Sequence, residues 1–467
     1  MEIEAIQQLA DTQLPHIAKA FDAESLAIYG TDSYGLYRAN PSLILFPRDT
    51  DEVVAIIAFA NKYLIPIVPS GGRTGLCGGA TATRGEMIVS SAKLVAPLIF
   101  NDDEGSVGAM AGTITAELQQ QAHERGFLFP IDFAAAGSSN IGGNIATNAG
   151  GIHVIHYGLT RDWISSLTVV TGKGDVLHLN KGLVKNATGY DLRHLFIGSE
   201  GTLGIIVAAT IKLTRPPVNP STLLLGFDIL ANVTAILQLL KQEADLLAFE
   251  FFTDDALQAA LDGQTFAPAL DNRCPYYVIA EYDKLLNPAP YADKEAQDNH
   301  IITKILESGL IADGKMAFSQ AERTLFWKHR EQIPVAINKL HPYKNDISIR
   351  IGSIPGFITQ LNELLHTHYH NLKVLWFGHI GDGNLHINII RPEAMAVTDF
   401  RTLCDGLSVQ LYQLIQAFNG SISAEHGVGL AKKDFLQYTR SNEEIAYMRA
   451  IKQVFDPNSI LNPGKIF

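Results

Sequence analysis

Apolar residues along the chain recur at two spacings. From Thr50 the segment TDEVVAIIAFANKY repeats them at helical spacing, with Thr50 as the capping residue and Asp51 and Glu52 in the first turn, which predicts a helix. The short run IPIVP after it predicts a strand that leads straight into a glycine-rich loop. Strands are also predicted near Met87 to Ser90 and Val107 to Ala111, and a helix from Thr113 to Arg125. ISSLTVVTGKGDVLHLN predicts a hairpin in which glycine supplies positive φ, and IIVAATIKL a further strand. TRPPVNPST then places three prolines in nine residues, so a domain boundary is expected near 214 to 222. Beyond it LLLGFD, LLAFEFF, YYVIAEY, DISIRIG, KVLWF and LHINII alternate with long helical patterns, so both parts are mixed helix and sheet.

Composition narrows the function class. The 467 residues, 47% hydrophobic, leave room for two or three domains of roughly 100 to 200 residues each. A net charge of −12, without any Lys/Arg run interleaved with aromatics, argues against nucleic acid. Cys77, Cys274 and Cys404 form no C-x-x-C pair, which disfavours a disulfide framework, a cysteine zinc module or an iron–sulfur cluster and makes a reducing cytoplasm the expected location. MEIEAIQQLADTQ lacks the basic stub and apolar core of a secretory leader. The stretch Leu223 to Leu240 is broken by Asp228, Asn232 and Gln238, so no membrane span is expected.

Familiar signatures are missing. No G-x-G-x-x-G follows a strand, Gly464-Lys465 is followed by Ile466 and so is no phosphate loop, and neither a G-x-S-x-G elbow nor an H-E-x-x-H helix occurs. Glycine is instead clustered, with five of the nine residues from Gly71 to Gly79 and five of the fifteen from Gly137 to Gly151. In PSGGRTGLCGG so little side chain remains that backbone N–H groups can approach a pyrophosphate. AGSSNIGGNIATNAGG adds Ser138, Asn140, Asn144, Thr147 and Asn148 as polar groups, and two such loops can clamp a large, flat cofactor; tight turns between buried strands are the alternative.

In FGHIGDGNLHINI a turn at Gly381-Asp382-Gly383 would bring His379 and His386 together, while the period of two puts His386 and Asn388 on one face. SISAEHGVG adds Glu425 and His426 among small residues. Two imidazoles and a carboxylate with an open position make a catalytic zinc set, though Mn or Fe accepts the same atoms. His366, His368 and His370 are spaced by two on a helical pattern and read as a solvated helix end. His153 and His156, beside the second glycine loop, read as packing or solvent-facing groups.

The segments PSGGRTGL, GSSNIGGNIATNAGG, KNATGYDLRHLFIGSEGTLGI, FGHIGDGNLHINI, SAEHGVG and LNPGKIF together resemble the FAD-linked oxidases and dehydrogenases with the vanillyl-alcohol oxidase and p-cresol methylhydroxylase fold. The likeness is greatest to the branch that oxidises D-2-hydroxyglutarate, D-lactate or glycolate. It implies an α+β protein: a two-lobed FAD-binding domain of the p-cresol methylhydroxylase type over 1–215, completed by 420–467, and an α+β substrate (cap) domain with an antiparallel sheet over 216–419 that carries a metal site. By resemblance Pro69, Ser70, Gly71, Gly72, Arg73, Thr74, Gly75 and Leu76 hold the pyrophosphate. Gly137, Ser138, Gly142, Asn144, Thr147 and Gly151 flank the dinucleotide and ring, and Glu200, Gly201, Gly204 and Ile206 line the remaining side, with Asn462 on the returning chain end. The flavin is expected to be non-covalent.

The resemblance further assigns a divalent metal, zinc first, to His379, His386 and Glu425, the catalytic base to His426, and substrate contacts to Arg330, Lys344 and Asn388. It implies oxidation of a D-2-hydroxy acid to the 2-oxo acid by hydride transfer to flavin N5, with D-2-hydroxyglutarate to 2-oxoglutarate the first expectation and D-lactate or glycolate the alternative. Pro334 stands four residues beyond Arg330, where the hydroxyglutarate enzymes tend to carry a hydroxyl residue, which gives short D-2-hydroxy acids weight, while PYKNDIS favours hydroxyglutarate. For the electron acceptor the resemblance suggests an electron-transfer flavoprotein and leaves oxygen open as the alternative; the sequence does not fix the oligomeric state, and a homodimer is one assembly it allows. A flavoprotein subunit of an electron-transfer complex is the alternative from another class, disfavoured by the intact His379, His386, Glu425 and His426 set.

Overall fold

A computed structural model describes residues 2–264, 266–283, 293–369 and 372–467, so His370 lies outside the described residues. The chain folds into two compact units, one of 1–150, 158–216 and 425–467, the other of 151–157 and 217–424.

The first unit contains two sheets. Strands β1 (Ala18–Ala20), β2 (Leu43–Phe46), β3 (Ile67–Ser70) and β4 (Met87–Ser90) make a sheet of order β1-β2-β4-β3, in which β2, β4 and β3 run parallel. Helix Thr50–Tyr63 is the crossover between β2 and β3, and its cap is Asp49 rather than Thr50. Asp49 is extended and its carboxylate accepts the Glu52 amide at 2.9 Å, while Thr50 is already helical. Strands β5 (Ile99–Asn101), β6 (Ser106–Met110), β7 (Ile164–Thr171), β8 (Val176–Leu179) and β9 (Gly204–Lys212) make an antiparallel sheet of order β5-β6-β9-β7-β8. One apolar core joins the two sheets, with Leu43, Ile67 and Met87 from the first and Val107, Val169 and Ile211 from the second.

In the second unit strands β10 (Ser221–Phe227), β11 (Asp245–Thr253), β12 (Tyr276–Asp283), β13 (Asp313–Met316), β14 (Tyr343–Ser348), β15 (Lys373–Gly378) and β16 (Asn384–Ile390) form one antiparallel sheet of order β13-β10-β12-β11-β15-β16-β14. Helices Asp254–Leu261 and Gln320–Asn338 pack together against it through Leu257, Phe326, Ile333 and Ile337. Among the described strands of this sheet only β13 lacks a buried residue: Asp313-Gly314-Lys315-Met316 is an edge strand outside the hydrophobic pattern.

Two short segments expected in the first domain fall in the second unit. Gly151–Tyr157 packs on β11, where Ile155 lies beside Gly381 and Phe249, and His156 Nδ1 stands 3.2 Å from the Asp245 carboxylate. Residues 420–424 are tied to β14 by the Ser348–Ser421 bridge and by the Ala424 amide, which donates to Asp346 Oδ2 at 3.0 Å.

Candidate functional site

The hairpin foreseen around Gly381 forms, and its register decides what faces what. In antiparallel pairing opposed residues share a face. Phe377 and His386 are opposed, as are Leu375 and Asn388, Lys344 and Asn388, Asp346 and His386, and Phe252 and Phe377. His386, Asn388, Lys344, Asp346, Phe377 and, two residues from Phe252, Glu250 therefore stand on the face that Gln320–Asn338 covers. Gly378 (φ 153) and Gly383 (φ 93) admit the turn, and an added Cβ at Gly378 would lie 2.6 Å from the Asn384 carbonyl.

A buried carboxylate organises this face. Glu250 is 0% exposed; His379 Nδ1 lies 2.7 Å from its Oε1, and Arg330 Nη2 lies 2.9 Å from its Oε2 as an ion pair without hydrogen-bond alignment. Burial raises the Glu250 pKa, but the His379 imidazole and the Arg330 guanidinium outweigh it and hold the carboxyl below the ordinary range. The Arg330 guanidinium also lies 4.6 Å over the Phe377 ring, and its Nε is buried with no partner among the described residues.

Asp346 backs the second imidazole. It is 0% exposed, its Oδ1 stands 3.6 Å from His386 Nδ1 and accepts Asn384 Nδ2 at 2.7 Å. The His379 and His386 rings meet edge to face with centroids 5.2 Å apart. Asn388 is buried, its amide pointing at the Leu375 and His386 carbonyls. Lys344 is exposed as a whole residue, yet partial burial lowers the pKa of its ammonium. Pro334 sits inside helix Gln320–Asn338, so the Arg330 carbonyl lacks its helical amide donor. Glu250 and Asp346 were not singled out from sequence, although a carboxylate inside an apolar strand such as LLAFEFF is itself a signal.

In the first unit the two glycine loops lie against each other. A Cβ on Gly72 would fall 2.1 Å from the Ser138 carbonyl, one on Gly71 3.5 Å from Gly143 Cα, and one on Gly142 2.6 Å from Ala111 Cβ. Arg73 (φ 59) holds its guanidinium 4.4 Å over the Tyr29 ring, and its carbonyl accepts the Ser33 amide. Thr74 and Leu76 are half-buried, and Gly75 lies 3.6 Å from Asp32 by its would-be Cβ. Gly137 is open, with nothing near its would-be Cβ, and the Ser138 hydroxyl donates to the Ala135 carbonyl. Asn144 donates to Thr115 Oγ1 at 2.6 Å and Thr147 to the Gly143 carbonyl, so these two side chains bond inward. Gly201 (φ 71) rests on Pro69, while Gly204 and Ile206 sit in β9 opposite β7; Gly151 belongs to the second unit. Ser70 Oγ and Asn462 Oδ1 are buried with no partner among the described residues.

The Glu200 carboxylate accepts the amides of Val428 at 2.7 Å and Gly429 at 2.8 Å, while Asn462 Nδ2 donates to the Glu200 carbonyl at 2.7 Å. Burial raises the Glu200 pKa above the ordinary value, against the pull of those two amides. Glu425 and His426 begin the segment of the first unit that follows Ala424; Glu425 Oε1 and His426 Nε2 are 3.9 Å apart.

Residues 216–466 match the family described as FAD linked oxidases, C-terminal domain, and 41–180 match an FAD binding domain. The chain is 46% identical over 446 residues to D-2-hydroxyglutarate dehydrogenase of Stutzerimonas stutzeri (strain A1501), covering 96% of this chain and 95% of that one. It is 35% identical over 452 residues to the mitochondrial D-2-hydroxyglutarate dehydrogenase of Bos taurus, covering 95% and 80%. The solved structure of 4-ethylphenol oxidase from Gulosibacter chungangensis superposes with a TM-score of 0.76 at 17% identity, covering 99% and 96%, which shows the fold alone. Among the described residues no helix is long and apolar enough to cross a membrane.

Proposed function

Because the chain belongs to the FAD-linked oxidases and has the FAD-binding fold of the p-cresol methylhydroxylase type, we propose that it oxidises D-2-hydroxyglutarate to 2-oxoglutarate. The observation that carries this reading is the buried Glu250, which draws an imidazole and a guanidinium together on one sheet face. A 2-hydroxy acid offers complementary groups, a carboxylate for the cation and an adjacent hydroxyl for a metal held by the imidazoles.

The first unit suits FAD. Ser70 Oγ and Asn462 Oδ1 are buried polar atoms that a polar ligand would satisfy, and a Cβ on Gly72 would collide with the Ser138 carbonyl of the facing loop, so only glycine lets the two loops meet there. Pro69 to Leu76 would hold the pyrophosphate, with the 137–147 loop and β9 beside the rest of the dinucleotide. FAD, when bound, supplies the acceptor for the hydride equivalent leaving C2.

The imidazoles suit a divalent metal because each has a buried carboxylate behind Nδ1, the arrangement that orients metal-bound histidine. His379, His386 and Glu425 would hold it, with zinc favoured by nitrogen and carboxylate donors, and its charge would lower the pKa of the substrate hydroxyl. Arg330, fixed by Glu250 and Phe377 with Nε left to donate, binds the C1 carboxylate. Lys344, opposite Asn388, takes the distal carboxylate in place of the hydroxyl residue that Pro334 displaces. His426 receives the C2 hydroxyl proton on a ring nitrogen. The substrate thereby loses one proton and one hydride and leaves as the 2-oxo acid. An electron-transfer flavoprotein is the onward acceptor in this proposal.

The test is anaerobic addition of D-2-hydroxyglutarate, L-2-hydroxyglutarate, D-lactate and glycolate, each alone, to the FAD-loaded protein. Rapid bleaching of the oxidised flavin band by D-2-hydroxyglutarate, abolished by a chelator that leaves FAD in place, is expected. Bleaching chiefly by D-lactate or glycolate would overturn the substrate assignment, and full bleaching in verified metal-free protein would overturn the metal.

A further inference from the structure

The resemblance gives Glu200 to the flavin, yet both oxygens of its carboxylate are occupied by the loop that follows His426. Oε1 accepts the Val428 amide and Oε2 the Gly429 amide. Two consecutive amides converging on one anion form a backbone nest, here filled by a side chain of the same unit. Gly427 is set by that fit: at φ 83 a Cβ there would lie 2.8 Å from Glu200 Oε1.

A second set of bonds holds the other side of the loop. The Cys77 carbonyl accepts the Leu430 amide at 2.9 Å and the Ala431 amide at 3.1 Å, and Cys77 Sγ lies 3.2 Å from the Gly427 carbonyl. Gly429 (φ 50) must be glycine because a Cβ there would meet the Cys77 carbonyl at 2.2 Å. Glu200 is itself held, at positive φ, by its amide donating to the Ala146 carbonyl at 2.8 Å and by Asn462 on its carbonyl. Its carboxylate is thus a fixed anchor, and the residues it holds lie two and three positions after His426.

We propose that Glu200 is a positioning residue for His426: through the Val428 and Gly429 amides its carboxylate fixes the backbone from which the imidazole projects. Glutamine is a poor substitute, since its NH2 group would face one of the two amide donors and leave it buried without an acceptor. A displacement of about 1 Å in a group that must meet the substrate proton costs on the order of 10²-fold in rate. The catalytic half of the proposal rests on the dehydrogenase reading; the clamp does not.

The experiment compares wild type with Glu200→Gln, both FAD-loaded, in steady-state turnover of D-2-hydroxyglutarate and in amide hydrogen exchange of 425–431. Expected are unchanged FAD content, kcat lower by about 10²-fold with KM close to wild type, and protection of the Val428 and Gly429 amides in wild type that is lost in the variant. Wild-type kcat in the variant, or loss of FAD as its main defect, overturns the proposal. If the variant does not fold, wild type alone decides the clamp: exchange of Val428 and Gly429 as fast as an exposed loop overturns it. Protected amides in a wild type that turns over no D-2-hydroxy acid would uphold the clamp and remove its catalytic role with the dehydrogenase reading.

Discussion

Glu250→Gln tests the charge logic of the second unit. The side chain is fully buried, and so is Arg330 at 6% exposure, so the substitution leaves a guanidinium out of water without its counter-charge. Breaking a buried ion pair from one side costs about 3–5 kcal/mol. For a unit of about 200 residues that lowers the melting temperature by roughly 6–20 °C. Removing the stranded cation as well, in Glu250→Gln/Arg330→Met, recovers most of the loss, because the two costs share one origin. The measurement is urea and thermal unfolding of the four proteins of this double-mutant cycle. A chelator and a pH above the ordinary histidine pKa of about 6.5 keep metal and imidazole charge out of the comparison. Because the folded Glu250 pKa lies below its ordinary value, the stability it contributes is present above that value and fades as pH falls through the folded one. Costs that simply add, or a loss under about 1 kcal/mol for the single variant, would show that Glu250 is not the charge Arg330 depends on.

His426→Ala is expected to keep FAD bound and to lower kcat by about 10² to 10⁴-fold, measured in single-turnover flavin reduction; near-normal reduction would remove His426 from the chemistry. Lys465 is 1% exposed, its ammonium has no hydrogen-bond partner among the described residues, and burial pushes its pKa from 10.5 down to about 8. The cost of burying that charge is present in full below the folded pKa and vanishes as pH rises to the unfolded one. Lys465→Met should therefore stabilise the protein by about 3 kcal/mol near neutrality, with the gain disappearing as pH is raised toward 10.5. A gain independent of pH in thermal melts would contradict this.

Local patterns carried much of this protein. Period two and the Gly381-Asp382-Gly383 turn suffice to bring His379 and His386 together, because a hairpin is closed by neighbours in sequence. The clustered glycines likewise announce close backbone approach, and the three prolines mark the boundary. Local reading failed where polar groups compete over a short distance, as when Asp49 rather than Thr50 capped its helix, and where an edge strand has no apolar signature, as in β13. What no local pattern contains is which distant group meets which. Glu250 reaches His379 across 129 positions and Glu200 reaches Val428 across 228. Those pairings follow from strand order and register, which are decided by how whole sheets bury their apolar faces. The pairing of the two imidazoles was therefore legible in the chain, while the buried carboxylates beside them came from the tertiary structure alone, since a buried charge is tolerated only where the completed fold supplies its partners.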